Sequence, residues 1–475
     1  MPNEATPIFV ELEGTLTRAN TGAESLCGII ATQPRLLPRV LWTLRRGIVT
    51  FKDALARVFT PDVSTLPYHA ELLNYLTAEK QSGRPVYLVS SANTAVATKV
   101  AEHLGLFDGV LASDQYRRRD GSAVLEAMKR TAGSGRFCFI SSVPRGMRVW
   151  GACESAAIVG AIPNDVRAVE SQCRVERVFT LSTPTWATYL RAVRSHQWVK
   201  NALLFVAVLP GLTQMTIQRF GSVLVGCVAF SLCSSSFYIV NDLLDLPADR
   251  IHSTKRLRPF ASGELDVAQG LALCCLLLVA GLLCAVLVSQ SFLLAVLTYL
   301  AITATYSLGA KRVVLLDVLI LAGLYALRVA AGALAASLRL SFWLLAFSMA
   351  LFLSLAFAKR YGELHNLAKL GREWPAGRGY RSSDMPIVEM FGIASGLSAV
   401  LTLALYLQQD AARMAFRRPW VLGALCPVLL YWISRVWLHA HRGLMNEDPV
   451  VFATKDRVSR FVLLISAVIV AASDL

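Results

Sequence analysis

The sequence predicts a multi-domain chain: a soluble N-terminal α/β domain over residues 1–180, then an all-α polytopic membrane domain of about nine transmembrane helices over residues 185–475. Three observations predict it. At 475 residues, 55% hydrophobic and mean hydropathy +0.50, the chain is too long for one ordinary domain and too apolar to be wholly soluble. Up to about Thr183 the apolar residues come in short runs broken by charge, whereas beyond Trp198 they come in blocks of roughly 17–22, the length that spans a bilayer core. The formal charge of +15 gathers as Lys and Arg between those blocks rather than on one soluble face, which excludes nucleic acid as the expected partner.

In the N-terminal part, Pro7–Leu12, Pro85–Val89, Phe137–Ile140 and Ala156–Val159 read as short apolar strands with helical stretches between them, a parallel α/β pattern. The first thirty residues lack a basic end, an unbroken apolar core and a small-residue cleavage site, so this domain is expected to stay cytoplasmic. Cys227, Cys233, Cys274, Cys275, Cys284 and Cys426 fall inside apolar blocks and act as small hydrophobes, so no disulfide framework is expected.

The candidate spans are 199–214, 220–241, 267–288, 291–309, 314–336, 341–358, 387–407, 419–438 and 459–473. With a cytoplasmic N-terminus, the loops after the second, fourth, sixth and eighth spans are cytoplasmic, and they carry most of the Lys and Arg. Arg413, Arg417 and Arg418 fall on the other side.

The strongest local signal follows the second span: Asn241-Asp242-Leu243-Leu244-Asp245-Leu246-Pro247-Ala248-Asp249, then Arg250, Lys255, Arg256 and Arg258. On a helix, Asp242, Asp245 and Asp249 share one face. Three converging carboxylates repel unless a cation lies between them, and Mg²⁺ takes such hard oxygen ligands together with substrate phosphates. Pro247 is expected to kink the helix. Lys255, Arg256 and Arg258 suit a diphosphate beside the metal. A solvated acidic loop is the bland alternative, but ionisable groups at the end of an apolar span are functional by default.

Four further sets of polar residues border or enter apolar blocks. Arg194, Lys200 and Asn201 open the first span, either as an interfacial belt or as a phosphate site. Lys311 precedes Asp317 and Arg328, which share a helix face about three turns apart and cannot pair directly. Lys359-Arg360-Tyr361-Gly362-Glu363 is net basic, with Lys359 and Glu363 spaced to pair. Glu447-Asp448 precedes the last span.

The acidic motif, its trailing basic residues and the span count resemble UbiA-type prenyltransferases over roughly residues 185–475. The resemblance implies that Asp242, Asp245 and Asp249 are catalytic residues holding Mg²⁺. Typical members carry a second acidic cluster after the sixth span, where this chain has its basic string. With Gln197-Trp198-Val199-Lys200-Asn201 and Lys359-Arg360-Tyr361, the chain is similar to the decaprenyl-phosphate phosphoribosyltransferase branch. That similarity implies transfer of a 5-phosphoribosyl group from 5-phosphoribosyl diphosphate to a polyprenyl phosphate, with release of diphosphate, in a bacterial inner membrane. Substrate contacts are then expected at Arg194, Lys200, Asn201, Asn241, Lys255, Arg256, Arg258, Lys311, Asp317, Arg328, Lys359, Arg360, Tyr361 and Glu363. The alternative is prenyl transfer from a polyprenyl diphosphate to an aromatic or other small acceptor.

Val10-Glu11-Leu12-Glu13-Gly14-Thr15-Leu16 resembles the opening motif of haloacid-dehalogenase-like phosphatases, and His103–Asp108 a stretch frequent in their relatives. Where that family has a nucleophilic Asp and an acid/base Asp, this chain has Glu11 and Glu13. The added methylene moves each carboxylate by more than an ångström, a displacement that can cost about 10²-fold. Ser90 keeps the hydroxyl position, Val124 replaces a lysine, and the acids expected around Ser142 and Gly146 are missing. The domain therefore reads as a pseudo-phosphatase.

Overall fold

The structure, a computed structural model, describes residues 6–113, 121–133, 135–142, 147–160, 163–181, 183–369, 379–409, 412, 416–444 and 449–474. Gly146, Arg372, Arg378, Arg413, Glu447 and Asp448 lie outside the described residues. The chain forms two units. One is Met1–Val193 with Tyr238–Leu273; the other is Arg194–Phe237 with Cys274–Leu475.

The first unit holds a six-stranded, all-parallel sheet in the order β3-β2-β1-β4-β5-β6. The strands are β1 (Ile8–Glu11), β2 (Val86–Asn93), β3 (Gly109–Ser113), β4 (Cys138–Ser142), β5 (Ser155–Val159) and β6 (Arg174–Phe179). β1 is sealed on both sides. Ile8 and Val10 pack into one cluster with Leu88 and Ile140, while Phe9 packs into the opposite cluster with Phe139, Trp150 and Ile158. That burial on both faces is why a parallel strand reads as an unbroken apolar run.

The four expected strands are β1, β2, β4 and β5. The other two, β3 and β6, are the sheet's edges, and β6 reads Arg-Val-Glu-Arg-Val-Phe because an edge strand tolerates charge. The strand order reverses at β1, whose neighbours are β2 and β4, and in such sheets the carboxyl ends at the reversal form the natural crevice.

Beyond the sheet the chain is helical. Among the described residues, seven helices are long and apolar enough to cross a membrane. They contain α2 (Ile217–Leu244), α4 (Val267–Val288), α5 (Gln290–Leu308), α6 (Leu316–Ala335), α7 (Phe342–Lys369), α8 (Met385–Leu407) and α9 (Leu425–His441), with α1 (Thr21–Thr32) and α3 (Leu246–Ile251) in the first unit. These seven correspond to the second through eighth expected spans. The other two expected spans differ in kind. The first is wound as 3-10 helix over Ser195–Gln214, and the last is α10 (Arg457–Asp474), whose 18 residues include Arg457, Arg460 and Asp474.

The 3-10 segment packs backbone against backbone. A Cβ added at Gly332 of α6 would stand 1.9 Å from the Leu204 carbonyl oxygen, so only glycine admits this approach. The aromatic pair Tyr325 and Phe352, stacked at 5.0 Å, belongs to the core shared by α6 and α7.

Candidate functional site

The acidic segment belongs to the first unit. α2 ends at Leu244, Asp245 leaves helical geometry at φ −93° and ψ 6°, and α3 begins at Leu246 with Pro247 in its first turn. Proline is tolerated there because the N–H it lacks has no partner in a first turn. The expected kink is thus a break between two helices, one residue before the proline's own turn. The backbone bridges it, the Asp245 amide donating to the Asn241 carbonyl at 2.9 Å and the Asp249 amide to the Asp245 carbonyl at 2.8 Å.

Across this break two of the three acids converge. Arg258 Nη1 donates to Asp242 Oδ1 at 2.9 Å and to Asp249 Oδ2 at 2.6 Å. Both carboxylates are nearly sealed, at 2% and 3% exposure. Asp245, at the break, is half-buried and its side chain does not cap α3. Among the described residues no three His, Cys, Asp or Glu side chains are gathered as a metal cluster. The fit to a divalent cation therefore rests on two buried carboxylates that already share one cationic nitrogen, a hard-oxygen pair whose charge demands a counterion. Lys255 and Arg256 sit in an exposed 3-10 turn after α3.

At the carboxyl end of β1, Glu11 and Glu13 are both engaged. Ser141 Oγ donates to Glu11 Oε2 at 2.5 Å, and Glu13 Oε1 accepts from the Thr21 amide at 3.1 Å and the Thr21 hydroxyl at 2.7 Å. Ser90 is buried, and Val124 packs among the apolar side chains under Phe9 and Met128.

The second unit holds two buried cationic clusters. In one, Arg328 donates through Nε to Asn201 Oδ1 at 3.0 Å, through Nη1 to the Leu324 carbonyl at 2.9 Å and through Nη2 to Tyr299 Oη at 2.8 Å. Asn201 in turn donates to Ser231 Oγ at 3.0 Å, and the buried Lys200 Nζ lies 5.7 Å from the Tyr325 ring, within cation–π reach. In the other, Arg360 Nη2 makes ion contact with Asp317 Oδ2, Arg360 Nη1 bonds Glu363, and Arg360 Nε has no hydrogen-bond partner among the described residues. Tyr380 completes it. Its hydroxyl donates to Asp317 Oδ1 at 2.7 Å and accepts from the Leu315 amide at 2.9 Å, at a residue held in the left-handed region with φ 66°. Burial and the Asp317 carboxylate push the Tyr380 phenol well above its usual range, so it stays a donor.

Asp317 and Arg328, eleven residues apart, thus each have their own partners, and Glu363 pairs with Arg360. Tyr361 Oη lies 3.2 Å from His441 Nδ1, which also meets Glu389 Oε1 at 3.0 Å. Arg194 is half-buried with φ 52°, a strained left-handed residue; Lys311 and Lys359 are half-buried. Sequence reasoning missed Tyr299, Ser231 and Tyr380. Each is a single polar residue whose partner comes from another part of the chain, and the only signal was that a buried arginine or aspartate must find one.

The UbiA prenyltransferase family model matches residues 201–455, more than half of the chain. An uncharacterized protein of Sinorhizobium fredii, y4nM, is 32% identical over 98% of this chain and 91% of its own length. The nodulation protein NoeC of Azorhizobium caulinodans is 37% identical over 57% of this chain and 87% of its own. Decaprenyl-phosphate phosphoribosyltransferase of Mycobacterium tuberculosis is 29% identical over 58% of this chain and 91% of its own. With its apolar helices and an acidic segment at the end of one of them, this chain is an integral-membrane transferase belonging to the UbiA prenyltransferase family.

Proposed function

We propose that the chain transfers a 5-phosphoribosyl group from 5-phosphoribosyl diphosphate to a polyprenyl phosphate: the bond from C1 of the ribose to the diphosphate breaks, and a bond from C1 to a lipid phosphate oxygen forms. The convergence of Asp242 and Asp249 on one cationic nitrogen carries this reading, because a single divalent-cation site serves a single diphosphate. Asp242 and Asp249 would hold Mg²⁺ there, and the ion would supply charge stabilisation to the departing diphosphate. Asp245, at the helix break, is the third ligand of this reading. Asn241, Lys255, Arg256 and Arg258 grip the donor phosphates, and Arg258 neutralises the two aspartates between turnovers.

Lys359, with Arg194, Lys200, Lys311 and Tyr361, takes the lipid phosphate. Arg360, Asp317, Glu363 and Tyr380 hold that region rigid, as Arg328 and Asn201 do for the start of the 3-10 segment. The net-basic string at 359–360, in the place where typical family members have a second acidic cluster, supports a phosphate-bearing acceptor over a second diphosphate. So does likeness to a relative named for that transfer. The membrane is a bacterial inner membrane with the soluble domain on its cytoplasmic side.

In this reading residues 1–180 are a degenerate haloacid-dehalogenase-like domain and residues 185–475 the transferase. The hydrogen bonds that occupy Glu11 and Glu13 support a domain without phosphatase activity.

The test uses full-length protein in detergent with Mg²⁺, labelled 5-phosphoribosyl diphosphate and polyprenyl phosphate, with Asp242→Asn as control. Label transfer to lipid, lost in the control, is the expected result. Consumption of polyprenyl diphosphate with an aromatic acceptor, and no label transfer, would move the chain to the prenyl-transfer reading.

A further inference from the structure

We infer that Glu13 and Glu24 are positioning residues for the acidic segment, so that the soluble domain sets the geometry of the transferase's metal and diphosphate ligands. This rests on the reading of Asp242 and Asp249 as those ligands. The residue after Asp249 is Arg250, and its guanidinium grips Glu24 of α1 as a fork: Nη1 to Oε2 at 2.8 Å and Nη2 to Oε1 at 2.5 Å. Its remaining donor, Nε, reaches the Ala261 carbonyl at 3.3 Å. One side chain thus ties α3, the turn at Ala261 and α1 together. The two partners are 226 positions apart and only 6% and 7% exposed.

Such a pair is strong for two reasons. The bidentate geometry fixes orientation as well as distance. Cys27, Phe59, Leu243, Leu246 and Pro247, with Asp62 and Thr65, line the small cavity beside it, and the burial of the pair itself lowers the local dielectric. Burial, with the Glu24 charge nearby, pushes the Cys27 thiol up to about 11, so the thiol adds no second negative charge beside Glu24.

The other end of the relay is Glu13. Its Oε1 accepts both the amide and the hydroxyl of Thr21, the first residue of α1, and Asn20 caps the same helix by accepting from the Ala23 amide at 3.0 Å. Glu24 follows within that fixed first turn. A carboxylate at the crevice of the sheet, where a hydrolase keeps a catalytic acid, is here spent on orienting the helix that holds Arg250. The line Glu13, Thr21, Glu24, Arg250, Asp249 runs through hydrogen bonds from Thr21 to Glu13 and from Arg250 to Glu24, through the first turn of α1 between Thr21 and Glu24, and through the peptide bond between Asp249 and Arg250. It ends at Asp249, whose carboxylate is ion-paired with Arg258.

The docking has a steric side as well. Gly263 has φ +75°, and a Cβ there would stand 2.9 Å from Arg18 Cβ and 3.0 Å from Pro67 Cγ. Arg191 and the Thr188 hydroxyl both donate to Glu264, at 2.5 and 3.2 Å. The Gly263 contacts hold the loop against the soluble domain and the Glu264 bonds hold it to Thr188 and Arg191, but of these contacts only the Glu24 and Arg250 pair adjoins an acidic-motif residue.

The experiment keeps the full chain in detergent and compares wild type with Glu24→Gln, Glu13→Gln, the milder Glu24→Asp and the exchange Glu24→Arg with Arg250→Glu. Mn²⁺ affinity is measured by electron paramagnetic resonance, and amide exchange is followed in residues 242–258 and separately in β1, β2, β4 and β5. The expected result is Mn²⁺ binding weakened tenfold or more and exchange in 242–258 accelerated tenfold or more in Glu24→Gln. Glu13→Gln gives the same sign, the exchange variant recovers most of the loss, and strand protection is unchanged. Donor KM rises far more than kcat falls. Unchanged Mn²⁺ affinity and unchanged exchange in Glu24→Gln, with the sheet intact, would overturn the inference. If Glu24→Gln loses the sheet, Glu24→Asp decides by the same two readouts. If wild type binds no Mn²⁺, the metal reading of the segment falls, and exchange in 242–258 alone decides the relay.

Discussion

Arg360 Nη2 lies 2.5 Å from Asp317 Oδ2, and neither side chain is reached by solvent. Removing one member strands a buried charge, which typically destabilises by about 3–5 kcal/mol, whereas replacing both with apolar groups of similar size is often nearly neutral. Asp317→Asn and Arg360→Gln should therefore each lower stability by about that amount. Asp317→Leu with Arg360→Met should lose less than either. Thermal unfolding of the four proteins in one detergent decides it; additive losses in the double variant would mean the two charges do not act as a pair.

Arg258 touches both aspartates through one nitrogen, so its removal separates metal binding from donor binding. Arg258→Ala leaves two carboxylates without their counterion and should keep or tighten Mn²⁺ affinity. It also removes a charged hydrogen bond to phosphate, worth about 1.5–3 kcal/mol, and should raise donor KM by roughly tenfold to a hundredfold. A loss of Mn²⁺ binding in this variant would show that Arg258 organises the carboxylates rather than standing in for the ion.

Gly332→Ala should be among the most damaging single-methyl changes in the membrane unit. The new Cβ meets a backbone carbonyl, which cannot rotate away as a side chain would. Overpacking of this kind costs about 1–3 kcal/mol where neighbours yield, and more here because the 3-10 segment itself must move. A melting temperature within a degree of wild type would contradict the close approach of Leu204.

Acid should weaken the sheet through Glu176. Burial alone would raise its pKa, but bonds from Ser155 at 2.6 Å, Tyr75 at 3.1 Å and Arg84 at 3.2 Å outweigh burial and hold it below its usual 4.5. A carboxyl with a depressed folded-state pKa contributes stability that is fully present above the unfolded value and is lost as pH falls through the folded one. Urea unfolding of the full chain followed in the sheet should thus lose stability below about pH 4.5, with a flatter profile in Glu176→Gln. Identical profiles would remove Glu176 from the account.

Lipid makes its demands legible in sequence, and the seven apolar helices were readable for that reason: backbone polar groups must be satisfied within the segment, which forces long uninterrupted runs. The inner strands were readable because both their faces are buried. β6 was not, since an edge strand with alternating charge has no apolar run to find. At the acidic motif, residue types and spacing revealed the cluster, but perfect helical spacing overstated it. The helix breaks at Asp245, and the pairing that results, Asp242 with Asp249 through Arg258, depends on a turn that periodicity does not encode. Tyr380 and Glu24 were invisible for a common reason, because each meets its partner only after distant parts of the chain have folded together.

The order in which the first unit is assembled differs from the order in which it is written. A ribosome releases the whole parallel sheet before Arg250 emerges, because Arg194–Phe237 comes between the two pieces of that unit. During that interval Glu24 has been made and its partner Arg250 has not. Only after most of the apolar helix beginning at Ile217 has been made does the missing segment arrive. Completion of the first unit therefore waits on synthesis of the apolar helix Ile217–Leu244, and a chain cut short before Tyr238 lacks the second piece of that unit.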